Sequence, residues 1–214
     1  MKKLSYLSLL AVLLFAVPTF ASTLSVESGG ITVSSYDFSS YGTSTAPWII
    51  NEDMTSSGTL KFESAAGGYV LPTNPSGTGT HSSGAWFRKT VTNNTGSAWT
   101  SFELELQVIL GTPSLNGDGL SFADGAGLIF SSDQFSSYTR IDTVRDYLNF
   151  SNGSVDVGES VTFNFAITDN SYNNPFYLLQ TPNKVDAPVP EPATIILLGA
   201  GLGGLALLRR KMSA

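Results

Sequence analysis

Two segments alternate apolar and polar residues over a full strand length, and this constrains the fold more than any other feature. In Phe102–Leu110 every second residue is apolar, with Glu103, Glu105 and Gln107 among those between. Val161–Thr168 repeats the pattern. Successive side chains of a β-strand point to opposite faces, so a period of two predicts two half-buried strands. We expect the apolar sides to line a core and the three polar side chains to face water.

Shorter apolar runs between turn residues predict further strands. Asn93–Gly96 and Asn152–Gly153 are typical turn sequences, and the second predicts a hairpin between two short strands. Many short strands with such turns predict an all-β fold, a β-sandwich of the jelly-roll or immunoglobulin-like type. The candidate strands are Ile31–Val33, Trp48–Ile50, Thr59–Phe62, Tyr69–Leu71, Ala85–Thr92, Gly127–Phe130, Tyr147–Phe150 and Val155–Val157.

We place the all-β domain at residues 22–186. Its composition excludes several kinds of site and partner. The 214-residue chain has no cysteine, which excludes disulfides, thiol nucleophiles and cysteine zinc sites. From Ser22 to Pro190 it has sixteen acidic and six basic residues. Such a surface repels phosphate backbones, so we expect no nucleic-acid partner.

The amino end has the three parts of a secretory signal. Two lysines precede an apolar run over residues 4–17, and small residues follow at Thr19 and Ala21. This predicts a signal peptide over residues 1–21, taken up by the Sec translocon and cut by signal peptidase between Ala21 and Ser22. The alternative is a permanent anchor helix, but the run is shorter than the roughly 20 residues that a span needs.

The carboxyl end has the layout of a short membrane span. An apolar, glycine-containing segment covers about residues 192–208; it is preceded by Val189, Pro190, Glu191 and Pro192 and followed by Arg209, Arg210 and Lys211. As a helix it would be about 25 Å long, against a hydrocarbon core of about 30 Å. The basic triplet predicts a stop that stays in the cytoplasm. A permanent single-span anchor is the alternative.

This tail resembles the PEP-CTERM sorting signal of Gram-negative bacteria that make exopolysaccharide. The likeness rests on three features in order: the Pro-Glu-Pro motif, a minimal glycine-bearing span and an arginine-rich end. It implies that an exosortase, a multi-spanning membrane enzyme, recognises residues 187–214, the linker and tail, and cleaves near the motif. The chain would then be anchored in the inner membrane transiently before reaching the cell surface or the extracellular space.

A second likeness covers Thr92–Phe102, which is similar to a segment common in the bodies of PEP-CTERM proteins, where it enters a sandwich strand. It indicates little about activity. Within it, Trp99 is expected to be a core or sandwich-edge aromatic, with a sugar-stacking platform as the alternative.

The body contains no complete catalytic or metal-binding motif. His81, the single histidine, lies in a loop sequence without a Gly-x-Ser-x-Gly elbow. Asn116, Asp118, Asp124 and Asp133 offer oxygen ligands for calcium, but their spacing departs from the EF-hand loop and favours ordinary turns. Glu103 and Glu105 could pair for glycoside hydrolysis, although a solvated strand face explains them better. We expect no catalytic residue, metal or cofactor.

Together these features predict an exported, non-catalytic surface or matrix protein that is sorted through its tail and associated with exopolysaccharide or the envelope. A carbohydrate-binding, lectin-like module is the alternative, and a row of exposed aromatics would favour it. A secreted hydrolase comes third, and a pocket with two facing carboxylates would favour it.

Overall fold

A computed structural model describes residues 22–64, 70–71, 81–82, 84–115, 117–125, 128–171 and 173–183. These all belong to the first of two compact units, Met1–Asn183. The predicted signal peptide at 1–21 and the predicted linker and tail at 187–214 lie outside the described residues.

The described chain is all-β, which confirms the predicted class. The strands are β1 (Ser22–Asp37), β2 (Trp48–Ser64), β3 (Ala85–Asn93), β4 (Trp99–Ile109), β5 (Thr112–Pro113), β6 (Leu120–Phe122), β7 (Ser131–Ser132), β8 (Phe135–Ile141), β9 (Tyr147–Val155), β10 (Ser160–Asp169) and β11 (Phe176–Pro182).

These strands form one sheet in the order β6-β10-β3-β2-β11-β4-β9-β8, with β1 on β2, β5 on β4 and β7 on β10. The pair β2–β3 is parallel, and the other pairs are antiparallel. The sheet curls into a half-barrel, so the predicted two-sheet sandwich is not confirmed.

The curl is visible in contacts between distant strands. Phe102 of β4 and Phe163 of β10 are four strand positions apart, which would separate them by about 19 Å in a flat sheet. Their ring centroids are 4.8 Å apart, and Phe150 of β9 lies 4.8 Å from Phe163 as well. The two ends of the strand order therefore face each other across an aromatic core.

Most apolar residues of the two alternating segments line this core, as predicted, but Leu110 lies beyond the end of β4 and is 43% exposed. Phe102, Leu104 and Leu106 of β4 are fully buried, and so are Val161, Phe163, Phe165 and Ile167 of β10. Trp99 is also fully buried, and its indole N–H donates to Thr95 Oγ1 at 3.0 Å. The core interpretation of Trp99 is confirmed.

The hairpin predicted at Asn152–Gly153 is wrong. β9 runs through both residues, and Asn152 adopts a left-handed φ of 59° in a bulge where β9 shifts register against β4. A side chain on Gly153 would begin 1.9 Å from the carbonyl oxygen of Gln134. The glycine therefore permits close approach of the neighbouring chain segment. This dipeptide serves here to form a β-bulge and not a hairpin turn.

Three other strand predictions fail. The strand predicted at Val155–Val157 does not form, because Val155 is the last residue of β9 and residues 156–157 belong to no strand. Residues 128–130 and 70–71 form no strand although they are apolar, whereas β8 does, although serine and threonine interrupt its alternation. β8 lies at the end of the strand order, where pairing on one side with β9 maintains it.

Candidate functional site

The side of β4 that points away from the core carries a buried charged cluster. Glu103, Glu105 and Gln107 are 1%, 4% and 3% exposed, so the prediction that they face water is wrong. Alternation shows which side chains point away from the core but not what covers them. Here Arg145, from the connection between β8 and β9, lies against both carboxylates.

The contacts within this cluster are specific. Arg145 Nη1 donates to Glu103 Oε1 at 3.0 Å and to Glu105 Oε2 at 2.7 Å, while Nη2 donates to Glu103 Oε2 at 3.3 Å. Gln107 Nε2 donates to the other Glu105 oxygen at 3.1 Å. The guanidinium carbon also lies 4.1 Å from the ring centre of Tyr147, within cation–π range.

The charges explain why the arrangement is stable. Burial opposes the charge on Arg145, but the hydrogen bonds and negative charges of Glu103 and Glu105 outweigh it and raise the pKa of Arg145. The guanidinium is therefore permanently charged and occupies both Glu103 oxygens. A glycoside hydrolase needs one carboxyl group that gives up a proton and a second on the other side of the bond. Glu103 and Glu105 both bind Arg145, so they are not arranged as such an acid and its opposing carboxylate.

Residues on both neighbouring strands share this side of the sheet. The register pairs Glu103 with Asn149, Glu105 with Tyr147 and Gln107 with Tyr177. Directly paired residues point to the same face, so two partly buried tyrosines flank β4. We call this set the β4 polar face: Glu103, Glu105, Gln107, Arg145, Tyr147, Asn149 and Tyr177.

The acidic loop residues serve local structure in separate places. The Asp118 carboxylate accepts from the backbone N–H groups of Leu115 and Leu120 at 2.7 and 3.0 Å and from the Ser114 hydroxyl at 2.9 Å. Asp133 accepts from the N–H of Thr162 at 2.8 Å, and Asp124 is exposed. In the described part of the chain no three His, Asp or Glu residues are grouped to hold a metal. Asn116 lies outside that part.

His81 is engaged with a strand rather than with a nucleophile. Its Nδ1 is hydrogen-bonded to the Thr168 hydroxyl of β10. Burial lowers the pKa of the imidazole, outweighing the nearby charge of Asp124. His81 is therefore neutral at physiological pH, and its described contact is structural.

A second charged cluster lies inside the core, and the sequence analysis missed it. Lys89 and Glu52 form an ion pair with both side chains 0% exposed, and Gln180 Nε2 donates to Glu52 Oε2 at 3.3 Å. We call these three residues the interior triad. One sequence feature could have revealed it: Lys89 occupies an inward position in β3, between Phe87 and Val91.

Asp146 is a further buried acid that the sequence analysis missed. It is 2% exposed, and its Oδ1 has no hydrogen-bond partner among the described residues. Burial raises the pKa of Asp146 to about 7, against the opposing effects of Ser121 and Arg140. Arg140 Nη2 also forms an ion pair with Asp142 Oδ2 at 3.2 Å and donates a hydrogen bond to the Phe122 carbonyl oxygen at 2.9 Å. Asp146 is too enclosed to meet a substrate directly.

Comparison with known families identifies the carboxyl end. Residues 188–211 match the family described as the PEP-CTERM protein-sorting motif. The chain carries a PEP-CTERM sorting motif. The match includes Pro190, Glu191 and Pro192 and extends to Lys211. It supports an exported protein sorted by exosortase.

The body, residues 22–186, lies outside this match. Comparisons with curated proteins and with solved structures found no significant match. Across the described residues, no helix is long and apolar enough to span a membrane. The predicted span at 192–208, the sorting residues, the basic stop and Ala21 lie outside the described residues. Ser22, the other residue of the predicted cleavage site, is the first residue of β1 and is 9% exposed.

Proposed function

We propose that the chain is a non-catalytic protein of the cell surface or extracellular matrix, associated with exopolysaccharide or the envelope. Signal peptidase would release the amino end after Ala21, and exosortase would process the tail near Pro190 after a transient stay in the inner membrane. The match at residues 188–211 carries this proposal. The proposal also includes a jelly-roll or immunoglobulin-like sandwich for the body. The facing aromatic residues of β4 and β10 support this part.

The chemistry of the β4 polar face supports the non-catalytic part of the proposal. Its two carboxylates are the best candidates for hydrolysis, and both accept hydrogen bonds from Arg145 at 2.7 to 3.3 Å. They are also 1% and 4% exposed, which leaves a glycosidic bond no direct access to them. A structural ion-pair cluster explains both facts.

The first test measures binding and turnover with exopolysaccharide purified from the native host. The mature protein should sediment with the polymer, and no new reducing ends should appear during prolonged incubation. Failure to sediment would contradict the proposed association. Release of reducing ends that stops in the Glu105→Gln variant would establish the hydrolase instead.

One observation favours a carbohydrate-binding module as the second candidate. Tyr147 and Tyr177 flank β4 on the same face; they are two strands apart and offset by two residues along β4, which separates them by about 12 Å at the usual spacings. Both are partly exposed, and Asn149 and Gln107 lie beside them. Aromatic surfaces combined with a few polar groups are typical of small-ligand sites.

The two candidates differ in which residues binding requires. A module that uses the β4 polar face should lose exopolysaccharide binding in the Tyr147→Ala and Tyr177→Ala variants. Tyr41→Ala is the matched control, because Tyr41 is 79% exposed and lies outside this face. Equal binding by all three variants and the wild type would exclude the β4 polar face as the carbohydrate site.

A further inference from the structure

The interior triad places an amine, a carboxylate and a primary amide together inside the core. Lys89 lies on β3 and Gln180 on β11, which flank β2, the strand that carries Glu52. One oxygen of Glu52 contacts Lys89 Nζ, and the other accepts from Gln180 Nε2 at 3.3 Å. The same carboxylate therefore bridges the amine and the amide.

The surroundings of the triad are buried and apolar. In the strand register Lys89 lies opposite Phe163 of β10 and Ile50 of β2, and Gln180 lies opposite Leu104 of β4. All of these neighbours are fully buried. Water does not compete for the three groups at such a site, so their reactivity depends on one another.

An ion pair alone leaves several hydrogen-bonding groups of the interior triad without partners among the described residues. A charged lysine presents three N–H donors, and apart from Glu52 no described acceptor bonds to Lys89 Nζ. Gln180 Oε1 likewise has no hydrogen-bond partner among the described residues. Unpaired polar groups and charges are costly in an apolar core. Burial accordingly lowers the pKa of Lys89, which favours the neutral, nucleophilic amine.

We propose that Lys89 and Gln180 form an intramolecular amide bond, with Glu52 as the group that transfers the protons. Lys89 first gives a proton to Glu52 and becomes a neutral amine. Nζ then attacks the side-chain amide carbon of Gln180, and a new C–N bond forms. Glu52 carries a proton from the attacking nitrogen to Nε2, the old C–N bond breaks, and Nε2 leaves as ammonia. Glu52 ends protonated, and no oxidant or cofactor is consumed.

The bond suits an exported chain that has no cysteine. It would join β3 to β11 across β2 and close a loop of about 90 residues, as a long-range disulfide does in other secreted domains. It would also remove the lysine charge and both unsatisfied amine donors from the core. The apolar surroundings would protect the product from hydrolysis.

The test is peptide mapping of the purified full-length chain after denaturation and trypsin digestion. An unmodified chain is cut after Lys89 and gives peptides 90–140 and 146–184. The cross-linked chain resists cutting there and gives one branched species, 89–140 joined to 146–184, lighter than its two parts by about 17 Da, the mass of ammonia. Fragmentation should locate the branch between Lys89 and Gln180.

The branched peptide is the decisive signal, because Asn152-Gly153 can also lose ammonia by cyclising without joining two peptides. The variants Lys89→Met, Gln180→Leu and Glu52→Gln should lack the branched peptide. Lys61→Met, which replaces a lysine of the partly exposed Lys61–Glu63 pair, should retain it.

Two outcomes of the wild-type measurement would overturn the proposal without reference to any variant. One is complete recovery of peptides 90–140 and 146–184 from folded wild-type protein. The other is a branch from Lys89 to Glu52 with loss of water. Peptide mapping of the wild-type protein therefore tests the amide bond even if a core variant fails to fold.

Discussion

Replacing Asp146 with asparagine should stabilise the folded body above pH 7 and change little at pH 4. The carboxyl group is 2% exposed, with one oxygen unpaired among the described residues, and burial raises its pKa to about 7. An asparagine has nearly the same shape and never ionises. The variant therefore removes the cost of charging this site and retains its packing.

The magnitude follows from the two pKa values of Asp146. In the unfolded chain the carboxyl has the ordinary value of about 3.9, so below pH 4 it is protonated in both states and contributes no difference. Between about pH 4 and 7 the unfolded chain releases the proton while the folded chain keeps it, and the free energy of unfolding falls by about 1.4 kcal/mol per pH unit. Above pH 7 the loss is complete at about 4 kcal/mol, which is an upper bound for the gain in Asp146→Asn.

Urea denaturation of residues 22–186 at pH 4, 6 and 8 measures this dependence. The difference between variant and wild type should grow with pH and level off near pH 8. Asp156→Asn is the control, because the Asp156 side chain is exposed, and it should show no such growth. Equal stability of Asp146→Asn and wild type at pH 8, or the same gain at pH 4, would refute the reasoning.

Three further predictions concern the body. Residues 22–186 should fold alone with a β-type circular dichroism spectrum and cooperative melting, because the strand pairings of the described residues all lie within them; a helical spectrum or no transition would contradict this. Arg145→Leu should destabilise the body by about 3 kcal/mol in urea, because it removes the cation that contacts both buried carboxylates, whereas Lys61→Leu should cost much less. Millimolar calcium should not raise the melting temperature, and a rise of several degrees that Asp118→Asn abolishes would show that the loop binds calcium.

The sequence predicted those parts of the fold that depend on local periodicity. The alternation in β4 and β10 identified their core-facing residues, because a period of two relates directly to the two faces of a strand. Alternation could not predict the burial of Glu103 and Glu105. Their cover includes Arg145, which is about 40 residues away in sequence and reaches them only after β9 pairs with β4.

The remaining errors have the same origin. Asn152-Gly153 has a strong preference for turns, but Gly153 pairs with Phe135 of β8, and the dipeptide forms a bulge where β9 shifts register against β4. The inward position of Lys89 was visible in the sequence. Its partners were not, because Glu52 and Gln180 come from two other strands and meet it only in the folded sheet. Sites built from long-range pairings therefore need the structure.

If the tail is a processed sorting signal, the Glu191→Ala substitution should prevent its processing without weakening membrane attachment. Glu191 lies within the matched residues 188–211 but outside the apolar run. Membrane fractionation and blotting should compare wild type and variant in a host with exosortase and in one without it. In the first host the wild type should be shortened by roughly the tail, while Glu191→Ala accumulates as a longer, membrane-bound precursor. Full-length, membrane-bound protein in every lane would contradict the claim and establish a permanent anchor.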